Sequence, residues 1–417
     1  MREHRSAANR FEHPANREDR HYAHTHPRVR PSRLRLRTHR SFGGLVACAS
    51  PRLSVVVPVY HEVETLPACL SALAASDFDR SSWELIVVSH TSAGDASVAS
   101  ARYADTIIRL PDRNWGAAYA RNRGAEVARG EFIVFVSSDV IVERHALRRI
   151  AKILDADDEV SALCGVYVDD SADSGLLSHY RNLLRVFEFE RGLGNSDAFT
   201  PGLAAIRKAT FVDAGMFDEW RVGVRRIESA EFGRRILSVG GKIVVHPDVK
   251  GVHIRNWTLA EAIGESVRDH GIPWQSDVRA TDDVVSPALR LARRLDRTNT
   301  VLVWCAVAAS MLSYYHVLKH GWWIVLGLLV VVASLSLPLG MFLIRRRSFP
   351  FAVLVLPLHI LDLVVGGLGV AYSWIVRHTV GEPKPSPTIE AFVEVGLKTW
   401  PPVPSRRAPR TQRISSS

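Results

Sequence analysis

An α/β fold is predicted, a mostly parallel sheet with flanking helices, followed by C-terminal transmembrane helices. Three observations predict it. From Leu53 to about residue 280, short β-branched runs alternate with amphipathic stretches, the pattern of strands joined by right-handed crossovers. The strand candidates are apolar throughout rather than at every second residue, as strands covered on both faces are. After Pro287 come three long apolar stretches, near 299–318, 322–344 and 349–376. Each is long enough to cross a bilayer core of ~30 Å.

The elements follow in order. Residues 1–50 are rich in Arg, His and Pro and lack an apolar run, so a disordered basic tail with no signal peptide is expected. LSVVVPVY, beginning at Leu53, is the first strand and ends around Pro58. ETLPACLSALAAS is a helix, WELIVVS the second strand and DTIIRLP a short third. WGAAYARNRGAEVAR is a helix of small and polar residues that leads into EFIVFVSSD, the fourth strand. VERHALRRIAKILDAD and LLSHYRNLLRVFEFERG have helical spacing around the strand VSALCGVYVDD. The Gly-rich segment after residue 191 reads as a loop. PGLAAIRKATFVDAGMFDEW then gives a strand, a helix and a turn. ESAEFGRRILSVGGKIVVHPDVKGVHI gives a helix stopped by Gly-Gly and a closing strand. WTLAEAIGESVRDHG adds a last helix.

A net charge of +10 raises nucleic acid as a partner, but the distribution argues against one. Much of the excess sits in the first forty residues and in arginines beside apolar runs: Arg290, Arg293, Arg294 and Arg297, then Arg345 to Arg347. That placement suits anionic headgroups and the positive-inside rule. No recognition helix or aromatic-basic platform supports nucleic acid. A multi-pass protein of the cell membrane is expected, with the globular part cytoplasmic and an amphipathic interfacial helix over 281–297. His359 and Asp362 fall inside the third span and should face protein or headgroups. Four scattered cysteines with no CxxC fit a reducing compartment.

Asp139 is a lone carboxylate at the C-terminal end of the fourth strand, where open α/β sheets collect ligands. An acid there can hold a divalent cation and, through it, a diphosphate. Its neighbours are Ser137 and Ser138, where a second acid would be expected.

SVVVPVYHEVETLPACLSAL, ELIVVS, NWGAAYARNRGAEVARGEFIVFVSSD, MFDEW, ESAEFGRRILSVGGKI and GVHI together resemble, in order, the landmarks of inverting family 2 glycosyltransferases with the GT-A fold. The resemblance covers Leu53 to Trp257, and the block from Asn114 to Asp139 is its most specific part. It implies a GT-A domain over 51–280; the apolar stretches themselves give a membrane region of about three helices over 298–378, and a Pro/Ser/Arg-rich tail follows over 379–417. It also implies donor-binding roles for Pro58, Tyr60, Glu62, Ser89, Asn114, Gly116, Arg121 and Asp139. Asp139 and His253 match positions that hold Mn2+ or Mg2+ against the donor's diphosphate. The base that takes the acceptor proton falls to Glu228 or Glu231, three residues apart on one helical face.

The departures from the pattern cluster. Ser89, Ser137 and Ser229 stand where acids are usual, and serine is a poor metal ligand and no base at neutral pH. The expected function is a membrane-anchored glycosyltransferase. It would take a nucleotide-sugar donor and a lipid-linked or glycan acceptor in glycan or exopolysaccharide assembly. The alternative is a degenerate GT-A module that binds nucleotide or a partner without turnover.

Overall fold

In the computed structural model, residues 50–59, 64–90, 100–110, 116–169, 175–219, 225–271 and 287–380 are described. The first half of the sheet consists of β1 (Leu53–Val59), β2 (Trp83–His90), β3 (Thr106–Leu110) and β4 (Phe132–Val136) in the order β3-β2-β1-β4. All three of these pairings are parallel. Helix α1 (Leu66–Ala74) follows β1, and α2 (Gly116–Val127) carries the chain from β3 into β4. Alternate residues of β1 serve opposite faces: Val55, Val57 and Val59 enter one core and Val56 the other. That explains the unbroken apolar runs. Helix α2 lies close to the sheet because a Cβ on Gly124 would meet Val56 Cγ1 at 2.4 Å.

The second half of the sheet is mixed, which narrows the expectation of a mostly parallel one. After β5 (Val140–Val142), α3 (Ala146–Ala156), β6 (Val160–Val168) and α4 (Leu176–Arg191), the segment read as a loop forms β7 (Gly194–Ser196). The chain then enters β8 (Leu203–Arg207), which runs antiparallel to both β4 and β6. Helices α5 (Lys208–Asp213) and α6 (Arg225–Ser238) precede β9 (Lys242–His253). This long strand pairs parallel with β6 and antiparallel with β5 and β7. A cluster of Phe135, Phe199, Phe211, Phe217 and Phe232 fills the core under α6, with ring centroids from 4.5 to 6.2 Å apart.

Helix α7 (Leu259–Gly271) leads toward the apolar region. There α8 (Pro287–Tyr314), α9 (Gly321–Leu335), α10 (Leu337–Arg346) and α11 (Phe349–Val380) follow. The basic stretch and the first expected span are one helix, α8. Among the described residues, Phe349–Tyr372 is the one helix long and apolar enough to cross a bilayer. The α9–α10 pair, bent by 54°, gives at most a second. The three expected spans thus become one or two, because polar and basic residues dilute α8.

The apolar helices are fused to the catalytic-looking part rather than appended to it. Leu339, Phe342, Leu343 and Val355 belong to the same core as Val55 and Leu163. The charge inside α11 is also accounted for. Arg181 of α4 donates to Asp362 at 2.8 Å and to Glu265 of α7 at 3.0 Å; Arg185 joins Glu265, and Ser266 joins Asp362. His359 bridges the Tyr180 hydroxyl at 3.0 Å and Ser336 Oγ at 3.3 Å.

Candidate active site

Asp139 lies in a tight turn after β4, closed by the Val140 amide donating to the Ser137 carbonyl at 3.1 Å. The next three residues form β5, whose Val140 pairs with His253 at the end of β9. This pairing brings residues 114 positions apart in sequence together: His253 Nε2 stands 3.4 Å from Asp139 Oδ2, and both side chains are buried.

Asn182 of α4 sets the orientation of His253. Its Oδ1 accepts from Trp257 Nε1–H at 3.2 Å and faces His253 Nδ1 at 3.1 Å. Indole nitrogen can only donate, which fixes the amide oxygen on that side. His253 Nδ1 therefore carries a proton and Nε2 points toward Asp139; in the neutral imidazole a lone pair on Nε2 faces the carboxylate. Two acceptors so close are held together by a proton or a cation between them. An imidazole nitrogen and a carboxylate oxygen converging at this distance are donors that a divalent cation takes, so the pair fits one. The outward hydrogen bond from Nδ1 is the support that metal-binding histidines use. Among the described residues no cluster of three or more His, Cys, Asp or Glu surrounds the point. The remaining coordination positions would have to come from ligand oxygens. Beneath the site, burial and then the Asp139 charge push the Cys69 thiol well up, so it stays protonated.

A cavity of about 420 Å3 opens from this pair. Arg121, Ser137, Tyr167 and Gly202 line its sheet end, and His359 and Asp362 of α11 line its far end. Gly202 is required there: a Cβ would sit 2.0 Å from the Tyr167 hydroxyl.

The other expected residues are distributed as follows. Pro58 is buried at the end of β1, opposite Val88; Ser89 is buried between Val59 and Arg109. Gly116 opens α2 with φ of 75°, a left-handed conformation suited to glycine. Arg121 is buried on α2, its guanidinium 5.5 Å over the Phe217 ring, and it reaches the cavity. Tyr60, Glu62 and Asn114 lie outside the described residues. Glu228 falls in the first turn of α6, but its side chain is likewise outside them. Ser229, Ala230 and Arg234 of the same helix line the cavity. Glu231 is not among the lining residues: its carboxylate is gripped by Arg235 at 2.6 and 2.9 Å.

Several residues that shape the site went unremarked in the sequence: Asn182, Trp257, Tyr167 and Gly202. The available signal was on α4, where Ser178, Arg181 and Asn182 recur at helical spacing and are all buried. In addition, Asn122 of α2 clamps the 217–219 turn by accepting from the Phe217 amide at 3.0 Å and donating to its carbonyl at 2.8 Å.

Residues 54–213 match the family model described as Glycosyl transferase family 2. This segment is a family 2 glycosyl transferase domain. Among curated relatives, glycosyltransferase AglE of Haloferax volcanii is 32% identical over 103 residues, covering 24% of this chain and 34% of AglE. The Escherichia coli protein WfgD, a UDP-Glc:alpha-D-GlcNAc-diphosphoundecaprenol beta-1,3-glucosyltransferase, is 31% identical over 91 residues, covering 21% of this chain and 35% of WfgD. The chain thus spans about a third of each relative's length. Among solved structures, the mannosyltransferase PcManGT of Pyrobaculum calidifontis, in complex with GDP-Man and Mn2+, superposes with a TM-score of 0.54. It is 20% identical, and the match covers 78% of this chain and 88% of that one. The mixed sheet with flanking helices is thus of the GT-A kind.

Proposed function

We propose that this protein is a membrane-anchored glycosyltransferase. It moves a sugar, with inversion, from a nucleotide-diphosphate donor to a lipid-linked or membrane-proximal acceptor in glycan or exopolysaccharide assembly. The observation that carries this reading is the Asp139–His253 pair opening into a cavity whose far wall is made by the apolar helices.

The donor's nucleotide lies across the ends of β1 and β2, near Pro58 and Ser89, with Tyr60, Glu62 and Asn114 supplied by the adjoining segments. Gly116 lets the start of α2 approach the diphosphate, and Arg121 offsets its charge. Asp139 and His253 would hold Mn2+ or Mg2+, and a cation there would supply charge neutralisation to the leaving diphosphate. Asn182 keeps the His253 ring in the ligating orientation. Glu228 accepts the acceptor hydroxyl proton as that oxygen attacks the anomeric carbon. Glu231, engaged by Arg235, supports the first turns of α6 instead.

Anchoring is supported at both ends of the apolar layer. Trp322, Trp323, Tyr314 and Tyr315 are exposed at one end, as in interfacial aromatic belts. At the other, Arg346 pairs with Glu190 and Arg347 with Asp169 at 2.8 Å, so the basic end adjoins the sheet domain. This arrangement favours a cytoplasmic domain on the cell membrane.

The test is a panel of nucleotide sugars offered to the purified protein with polyprenyl-linked acceptors, with and without Mn2+. Transfer is expected, and Glu228→Gln should lower it by about 10²–10⁴-fold with donor binding intact. Absence of both transfer and donor hydrolysis under every metal condition would refute the reading. A second reading rests on Ser137 and Ser229, which line the cavity in place of acids: a module that binds nucleotide without turnover. Nucleotide binding with no turnover in the wild type would favour it.

A further inference from the structure

The far end of the cavity holds a second polar cluster that the donor site does not use. Helices α9 and α10 meet at a 54° bend, and the break falls at Ser336–Pro338. Proline lacks an N–H and bends helices. Irregular backbone inside an apolar layer is tolerated where it lines a cavity, and Ser336 and Pro338 both line this one. Asn299 of α8 reaches the break and donates from Nδ2 to Ser336 Oγ at 3.2 Å. Ser336 in turn faces His359 Nε2 at 3.3 Å. The other half of the Asn299 amide, Oδ1, is buried and has no hydrogen-bond partner, although the residue is only 4% exposed and lines the cavity. A buried polar atom left unmet costs about 1–3 kcal/mol, so this niche is built for a ligand group.

We propose that this niche is the acceptor subsite and that it reads a saccharide hydroxyl carried on a lipid. The proposal rests on the transferase reading above and specifies its acceptor. A bare phosphate offers only acceptor oxygens, which the Asn299 carbonyl oxygen would repel. A hydroxyl can donate, and so satisfies the Oδ1 that Asn299 leaves free while its Nδ2 holds Ser336. Leu289, Leu335, Leu339 and Leu363 line the same cavity and suit an apolar tail. The reaction is therefore chain extension, adding to a glycolipid whose first sugar was attached to the lipid by a separate priming transferase.

The test measures binding without donor, so it does not depend on turnover. Full-length protein in detergent micelles is titrated calorimetrically with farnesyl phosphate and with farnesyl diphosphate bearing glucose, mannose or N-acetylglucosamine. At least one saccharide-bearing probe should bind roughly five- to tenfold more tightly than farnesyl phosphate, and Asn299→Leu should abolish that preference. Nucleotide binding by the variant reports that it is folded. If it does not fold, the wild-type preference alone decides. Equal or tighter binding of farnesyl phosphate would overturn the proposal, as would a saccharide preference that survives Asn299→Leu. Saccharide-selective binding with no transfer to any probe would instead count against the transferase reading and leave the subsite standing.

Discussion

Replacing Asn182 with leucine separates the structural from the catalytic contribution of the site. Asn182 Oδ1 serves two donors, His253 Nδ1 and Trp257 Nε1, whose residues are 5% and 6% exposed. Each buried donor left unmet costs about 1–3 kcal/mol, so the ceiling is about 2–6 kcal/mol. His253 can escape its share by moving its proton to Nε2 and donating to Asp139, 3.4 Å away. Trp257 has no such choice. The expected loss of stability is therefore about 1–3 kcal/mol, the indole's share alone. The histidine's escape has a separate cost, because a protonated Nε2 cannot bind a metal. Mn2+ affinity in the presence of UDP or GDP should fall about 10–100-fold, as for other lost supports of a metal-binding histidine. Asn182→Asp, which keeps an acceptor in place, should retain it. Chemical denaturation measures the first quantity and calorimetric Mn2+ titration the second. If Asn182→Leu binds Mn2+ as tightly as wild type, the assignment of Nε2 as a ligand is wrong.

Further outcomes follow from other contacts. Arg181→Met leaves Glu265 to Arg185 and takes from buried Asp362 the guanidinium it is paired with. It should destabilise the fold by about 3–5 kcal/mol, whereas Arg181→Met with Asp362→Leu should recover most of the loss; equal destabilisation of the two by denaturant would sink this account. Gly202→Ala drives a methyl into the Tyr167 hydroxyl and should cost about 1–3 kcal/mol, partly relieved by adding Tyr167→Phe, as thermal unfolding would report. Full burial pushes the Cys164 thiol up to about 12 from the ordinary 9.0. The folded state then holds this proton more tightly than the unfolded state. That stabilisation is complete below pH 9 and is lost as pH climbs toward 12, which denaturation midpoints across that range would detect. At pH 8, N-ethylmaleimide should spare Cys69 and Cys164 until the protein unfolds.

Much of the architecture was legible because strands covered on both faces write themselves as runs such as Val55–Val57 and Phe132–Val136. The Asn114–Asp139 block located the helix, the strand and the carboxylate at its end. Strand direction was not legible: β8 is as apolar as the parallel strands, and its sense is set by pairings to β4 and β6 that no local pattern encodes. The support of His253 was hidden for a different reason. Asn182, Arg181 and Ser178 look like the solvated side of an amphipathic helix, yet that side is buried against partners 71 to 181 residues away. Asp362 was recognisable as a charge in an apolar helix, but its partner Arg181 could be named only from the fold. Glu228 and Glu231 are alike as candidate bases in the sequence; that Arg235, one turn further on, grips Glu231 could be named only from the fold.

The sharing of one core by the sheet and the apolar helices has a consequence for biosynthesis. The face of β1 that buries Val55 and Val57 is completed by Leu339, Phe342, Leu343 and Val355. These emerge from the ribosome about a hundred residues after His253 ends the sheet. At 5–20 residues per second, that leaves the sheet partly uncovered for about 5–20 s. Shielding by a chaperone or by the membrane in that interval would protect the nascent sheet from aggregation. A chain truncated after α7 would retain every residue assigned to the donor and still lack the cover of its own core.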